Sequence, residues 1–525
     1  MIIMAMKNTT KGHIFVRSNI SAFIVVWLTC FLKFLLYAQL VSDEVHTTIQ
    51  WLGIGCISAA TAGITALLFS SFKHNIAQWI GLMLIDLWLI ANILFFNANG
   101  MLIDLQLVGI IGELNGFEAS IVSYLIWQLI VFPILTIGCG FYLLYDKQLT
   151  EQKKLSSYGI LGIIAAIIVL YGVSIPCDLK KWEKQFENWM YRYASKTLTR
   201  EEEKVAKTLF TEDVTPNEPN GHLVFILVES MESWPMHVKD RRGVPVYEKL
   251  QQYIQTHPVL FCDHVLTQQV YGRSGDGQLI TQTGMLPLRH GVACMRNGRN
   301  VYPNFAHFYP DAVIINPFPR VWNQHTTTYS YGYKRLKEPP GNMKMRDSVA
   351  LQWAKEELEA ATVPTCVLAI TLDMHVPFRH GKQELLLDEH FTAEEQAYMQ
   401  CCHGTDRYIG QFLAWADTAA IMQNATIVIT ADHNQFPRKD GKGLCPLIIC
   451  SPKIKENRYI PKAYQMDVFP TVLDAIGQDN YFWHGFGADL LSPDSRRSVS
   501  PKQAETISDK WIRSDYFRSR DDIKQ

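Results

Sequence analysis

The chain lacks net charge: 49 lysines and arginines stand against 50 aspartates and glutamates in 525 residues. That balance excludes the basic excess through which nucleic-acid binders gather phosphates, and no nucleic-acid partner is expected. The dense cysteine spacing of a small disulfide scaffold is also missing. Of 11 cysteines, Cys30, Cys56 and Cys139 fall inside apolar runs. Buried thiols are therefore expected, with a Cys262–Cys294 bridge as the alternative. Nor is a cleavable leader expected, because the first apolar run is too long for one and is followed by further apolar runs instead of a small-residue cleavage site.

What the chain has instead is apolar residues concentrated in its first third. Mean hydropathy near zero is high for a chain with a soluble domain,. Five runs reach the ~20 residues that cross a bilayer: about Asn19 to Val41, Trp51 to Phe72, Trp79 to Ala98, Ile121 to Tyr145 and Tyr158 to Ile175. Lys7, Lys11 and Arg17, then Lys73, then Lys147, Lys153 and Lys154 occupy alternate loops, whereas Asp43, Glu44, Asp104, Glu113 and Glu118 occupy the others without Lys or Arg. The positive-inside rule then places everything after Cys177 outside the cytoplasm. Lys33 and Asp86 interrupt the spans; Lys33 is expected to snorkel outward and Asp86 to face a neighbouring helix, with a headgroup contact inside the bundle as the alternative.

The expected organisation is a five-span bundle over 1–177, an amphipathic helical linker over 178–221, an α/β domain over 222–492 with a mostly parallel sheet, and a loosely ordered polar tail over 493–525. Within the α/β domain, Leu223–Val228, Ala312–Ile315, Thr365–Leu372, Thr426–Thr430 and Pro446–Cys450 read as strands. Helical patterns cover Val246–Thr256, Ser348–Ala360, Ala393–Ala416 and Asp467–Ile476.

Open α/β sheets bind ligands beyond the carboxyl ends of their strands. Glu229 follows the apolar run HLVFILV, Asp432 and His433 follow ATIVITA, and Ser274 lies in the loop GRSGDGQ before a helical stretch. Two carboxylates, an imidazole and a hydroxyl sharing one crevice suit a hard or borderline divalent metal with a serine held against it. Coordination would lower the pKa of the hydroxyl and make it a nucleophile. Backbone N–H groups at the helix start, and Arg273 beside Ser274, would hold phosphate oxygens.

These motifs, with LDMHVPF (Leu372 to Phe378), MDVFPTVLDAIG (Met466 to Gly477) and GFGADLL (Gly485 to Leu491), resemble the lipoteichoic acid synthase branch of the sulfatase and alkaline-phosphatase superfamily. The resemblance implies an alkaline-phosphatase-like fold in a multi-pass protein of the bacterial inner membrane, its catalytic domain extracytoplasmic. It implies Glu229, Asp432, His433 and Ser274 as ligands of one divalent ion, Mn²⁺ favoured over Mg²⁺ or Zn²⁺, and Ser274 as nucleophile. His375 would contact substrate and move a proton; Trp322 would contact the headgroup. Gln324 replaces an arginine that binds phosphate in the family, which opens the identity of the headgroup. The implied reaction moves a phospho-headgroup of the phosphoglycerol type from a membrane phospholipid to a glycolipid or glycan hydroxyl. Phosphoethanolamine transfer, ester hydrolysis and a non-catalytic assembly role are the alternatives. Formylglycine chemistry needs C/S-x-P/A-x-R, whereas Ser274 is followed by Gly275, Asp276, Gly277 and Gln278.

Overall fold

The computed structural model describes residues 23–41, 48–70, 75–99, 127–145, 190–191, 193–210, 217–318, 324–340, 344–379, 381–439, 441–497 and 499–517. The fifth expected span, the loop charges that set its orientation, the first part of the linker and Trp322 lie outside these residues. The chain divides into two compact units, the second beginning at Ala194 and running through the carboxyl-terminal residues.

In the first unit, two helices, Phe23–Leu40 and Trp51–Phe69, are long and apolar enough to cross a membrane; the apolar stretches Gln78–Leu94 and Trp127–Leu143 are shorter. The bundle is apolar outside as well as inside: Leu52, Leu87 and Phe141 are each more than two-thirds exposed. Its polar groups point inward, as expected where hydrocarbon replaces water around a protein. Lys33 does not snorkel. Its side chain is fully buried, with Nζ 2.5 Å from Asp86 Oδ1. Thr136 closes the cluster, accepting from Lys33 and donating to the other Asp86 oxygen. An ammonium with no exposed surface in so apolar a bundle persists only because the carboxylate is there.

The second unit is built on one sheet of nine strands in the order β4-β3-β5-β1-β6-β7-β2-β8, with β9 also pairing β2. These are β1 Leu223–Val228, β2 Leu260–Leu266, β3 Asp311–Ile315, β4 Arg335–Lys337, β5 Thr365–Ile370, β6 Thr426–Ala431, β7 Cys445–Cys450, β8 Arg458–Tyr459 and β9 Ala463–Tyr464. From β4 to β6 every pairing is parallel; β7 runs antiparallel to both β6 and β2. Every residue of β1, β5 and β6 that faces the layers above and below is buried, hence the unbroken apolar runs in place of alternation. The β1–β6 register pairs Val228 with Ala431. The next residue on each strand, Glu229 and Asp432, therefore leaves the sheet side by side.

A further expectation is corrected. Over the described residues the tail is not loose: Ser500 caps a helix, Pro501–Arg513, through a reciprocal bond pattern with Gln503, Ile512 is buried, and Trp511 and Phe517 pack against Trp483, Trp511 also against Phe486. Complete burial of such side chains stabilises by about 1.5–3 kcal/mol each. Ser508 exchanges hydrogen bonds with the Leu286 backbone, fixing this helix to the segment after Ser274–Thr283. Cys262 and Cys294 are both thiols, as expected, and the alternative bridge is not formed.

Candidate active site at the ends of β1 and β6

Glu229 is held by its own backbone and by its neighbour. Its amide donates to Thr371 Oγ1, at the end of adjacent β5, and Ser230 Oγ donates to Glu229 Oε1 at 2.7 Å. Ser230 has φ 53°, a left-handed conformation that costs a non-glycine residue free energy unless its surroundings enforce it. Here they do: the Ser230 amide donates to Asp432 Oδ1, and Tyr398 Oη donates to the Ser230 carbonyl while accepting the Glu232 amide.

Asp432 Oδ1 also accepts the His433 amide, whereas Asp432 Oδ2 is buried without a hydrogen-bond partner among the described residues. His433 Nδ1 lies 3.0 Å from the Asn434 carbonyl, which fixes the proton there and leaves Nε2 facing Glu229 Oε1 at 3.4 Å and Asp432 Oδ2 at 3.7 Å. One donor atom from each of the three residues fits within a mutual 4.8 Å. Ligands at ~2.1 Å around one tetrahedral ion stand about 3.4 Å apart. An orphaned carboxylate oxygen, an imidazole nitrogen whose proton a cation can replace and a second carboxylate thus fit a divalent metal.

Electrostatics agree with that fit. Burial would raise the Glu229 carboxyl, but the contact with His433 and its charge, joined by His375, hold it well below the usual carboxylate range. Burial and the Glu229 charge push Asp432 upward. Burial opposes a charge on His433, yet Asp432 and Glu229 raise its imidazole to about 9. A proton shared among three buried groups occupies the place of a cation, and metal binding at Nε2 requires that proton to leave.

Ser274 opens the helix Ser274–Thr283. Its Oγ stands 3.4 Å from Glu229 Oε2, which brings the serine to the three clustered residues. Arg273 at the helix cap has φ 36°, and its charge opposes protonation of nearby His433. Gly277, one turn on, was not singled out from the sequence: a Cβ there would lie 2.0 Å from the Asp432 carbonyl oxygen, so only glycine lets this helix meet the end of β6. Its signal was the glycine-rich loop itself. Two first-turn amides, of Gly275 and Gly277, are already bonded to Gly272 and Arg273 carbonyls and are unavailable to an anion.

His375 lies in the loop after β5, next to β1, with Nδ1 2.6 Å from the Val376 carbonyl. That contact leaves Nε2 as its basic atom. Gln324 is not brought to the cluster by any hydrogen bond. It begins the helix Gln324–Ser330 and accepts from Asn316, just past β3 and two strands from β1, while its buried Nε2 has no partner.

Residues 293–478 match the Sulfatase family, a span that includes His375, Asp432 and His433 and starts after Ser274. The chain is 23% identical over 331 residues to lipoteichoic acid synthase 1 of Bacillus subtilis, covering 56% of this chain and 52% of that protein. It is 20% identical over 512 residues to the lipoteichoic acid synthase of Staphylococcus saprophyticus, covering 84% and 79%. It therefore spans about half the length of the first relative and most of the second. Among solved structures, the lipoteichoic acid synthase LtaP from Listeria monocytogenes superposes with a TM-score of 0.50 at 16% identity, over 60% of this chain and 98% of that one. At that identity the likeness shows the fold.

Proposed function

We propose, from likeness to the lipoteichoic acid synthase branch of the sulfatase superfamily and from the approach of Ser274 to Glu229 beside Asp432 and His433, that this chain is a membrane-anchored phosphotransferase. It moves a phospho-headgroup from a phospholipid to a glycolipid or glycan hydroxyl. The observation that carries the reading is a hydroxyl set 3.4 Å from a carboxylate in a cluster with an unpartnered buried oxygen.

Glu229, Asp432, His433 and Ser274 would hold one divalent ion, Mn²⁺ by family likeness. When bound, such an ion lowers the pKa of a coordinated hydroxyl and neutralises charge on the phosphate it faces. Ser274 Oγ attacks phosphorus and the bond to the diacylglycerol oxygen breaks, the serine proton passing through His375 Nε2 to that leaving oxygen. The headgroup phosphate stays on Ser274. An acceptor hydroxyl, losing its proton to His375 Nε2, then attacks the same phosphorus and frees the serine, which takes that proton back. Asn434, by holding His433 Nδ1–H, keeps the other imidazole nitrogen directed at the site,.

Intact mass spectrometry after incubation with mixed bacterial phospholipids tests this reading, because the mass gained at Ser274 identifies the group transferred. A glycerophosphate increment is expected first. Gln324 supports phosphoethanolamine as the second reading: a neutral amide tied to Asn316 cannot supply the charge of a guanidinium. Label would then pass better from phosphatidylethanolamine than from phosphatidylglycerol. No adduct from any phospholipid would sink the phosphotransfer mechanism.

A five-span anchor with the catalytic domain outside the cytoplasm supplies the reason for a lipid donor: the headgroup is met at the bilayer surface. Cysteines introduced near Lys153 should resist, and those in the catalytic domain accept, impermeant thiol reagents on intact cells. Labelling near Lys153 from outside would reverse this orientation.

A further inference from the structure

Ser274 is held only weakly by its own side chain: the 3.4 Å approach to Glu229 is long for a hydroxyl donor, and its interaction with Asp432 is the least of those acting on that carboxyl,. Its position must come from the loop. There a single carboxylate oxygen, Asp276 Oδ2, accepts the amides of Val270, Tyr271 and Gly272 at 2.9, 2.8 and 2.9 Å. Asp276 is only 1% exposed. It lies two residues after the serine on the first turn of the same helix, reaching back over the cap. The chain between is a tight turn: Arg273 takes φ 36°, the Gly275 amide bonds the Gly272 carbonyl at 2.7 Å, and a Cβ on Gly272 would press Asp276 Oδ1 at 2.8 Å. Three bonds converging on one buried oxygen fix this turn more firmly than any one of them would.

We infer that Asp276 is the positioning residue of the nucleophile: it folds residues 270–276 around its carboxylate and thereby aims Ser274 Oγ at the Glu229–Asp432–His433 cluster. This rests on the phosphotransfer reading. Asp276 donates nothing to the reaction and touches no reacting atom. Its effect is geometric, and displacement of a reacting group by ~1 Å can cost about 100-fold in rate.

The experiment compares Asp276→Ala, Asp276→Asn and Ser274→Ala in the full chain in detergent, measuring kcat and KM with labelled phospholipid, Mn²⁺ affinity by calorimetry, and thermal unfolding. Asp276→Ala should lose about 100-fold in kcat with KM and Mn²⁺ affinity within about threefold of the parent. Asp276→Asn, which keeps an acceptor oxygen in place, should recover at least a tenth of the parental kcat. Parental kcat in folded Asp276→Ala overturns the inference, as does a fall in Mn²⁺ affinity and cooperative unfolding in proportion to kcat, which would make Asp276 a residue of general stability. Full activity in Ser274→Ala would instead overturn the phosphotransfer reading itself.

Discussion

Replacing Ser274 by alanine should leave a folded, metal-binding protein that turns over roughly 10⁴-fold more slowly or not at all, the loss that follows removal of a covalent nucleophile. The fold should survive because Ser274 Oγ makes no close hydrogen bond, approaching Glu229 at 3.4 Å and Asp432 weakly, and caps nothing: the helix cap is Arg273, without a side-chain bond. Such a deletion changes stability by no more than about 1 kcal/mol. Turnover of labelled phospholipid, a thermal unfolding curve and loss of the covalent adduct measure the three parts. Ser274→Thr keeps the hydroxyl and should retain partial activity without a maturation partner. Parental turnover by Ser274→Ala, or formylglycine at position 274, would remove the serine from the chemistry proposed here.

The second large effect is expected in the bundle. Lys33→Met removes the ammonium and leaves the Asp86 carboxylate buried with Thr136 in an apolar interior. Loss of one partner from a buried ion pair costs about 3–5 kcal/mol, whereas replacing both by apolar groups of similar size is often neutral. Lys33→Met alone should unfold at lower temperature in detergent and accumulate poorly; Lys33→Met combined with Asp86→Leu should recover most of the loss. Equal stability of the single variant and the parent would show that the pair contributes little, and a double variant no better than the single one would show that the packing around it matters more than its charge.

The parts of this architecture legible in the sequence are those where one local signal dominates. β1, β5 and β6 announce themselves as unbroken apolar runs because both faces are covered, and the polar residues that end two of those runs are Glu229 and Asp432. The helix Ala393–Ala416 is bounded by Thr392 and Glu395, a capping pair readable in the chain. Strand β2 is less legible: its register with β7 shifts between Cys262 and Val265, and Asp263 and His264 break its apolar period there. The tail helix hides its stripe, Ala504, Ile507, Ser508, Trp511 and Ile512, among lysines and glutamate on the opposite face. Lys33 and Asp86 are 53 residues apart, so each reads alone as an anomaly. Asp276 stands in the loop that drew attention, but the convergence of three amides on one oxygen is a property of the folded turn.

The tail helix also fixes the order in which this domain can be completed. Residues 504–517 cover Trp483 and Phe486 and grip the Leu286 backbone beyond the nucleophile helix. A nascent chain that has not yet presented Phe517 therefore holds an open apolar face at the far end of the helix that Ser274 opens. The sheet can assemble earlier, from β1 onward, but its last seam is closed by the final segment. Throughout that interval the domain exposes apolar surface of the kind that chaperones bind and that drives aggregation.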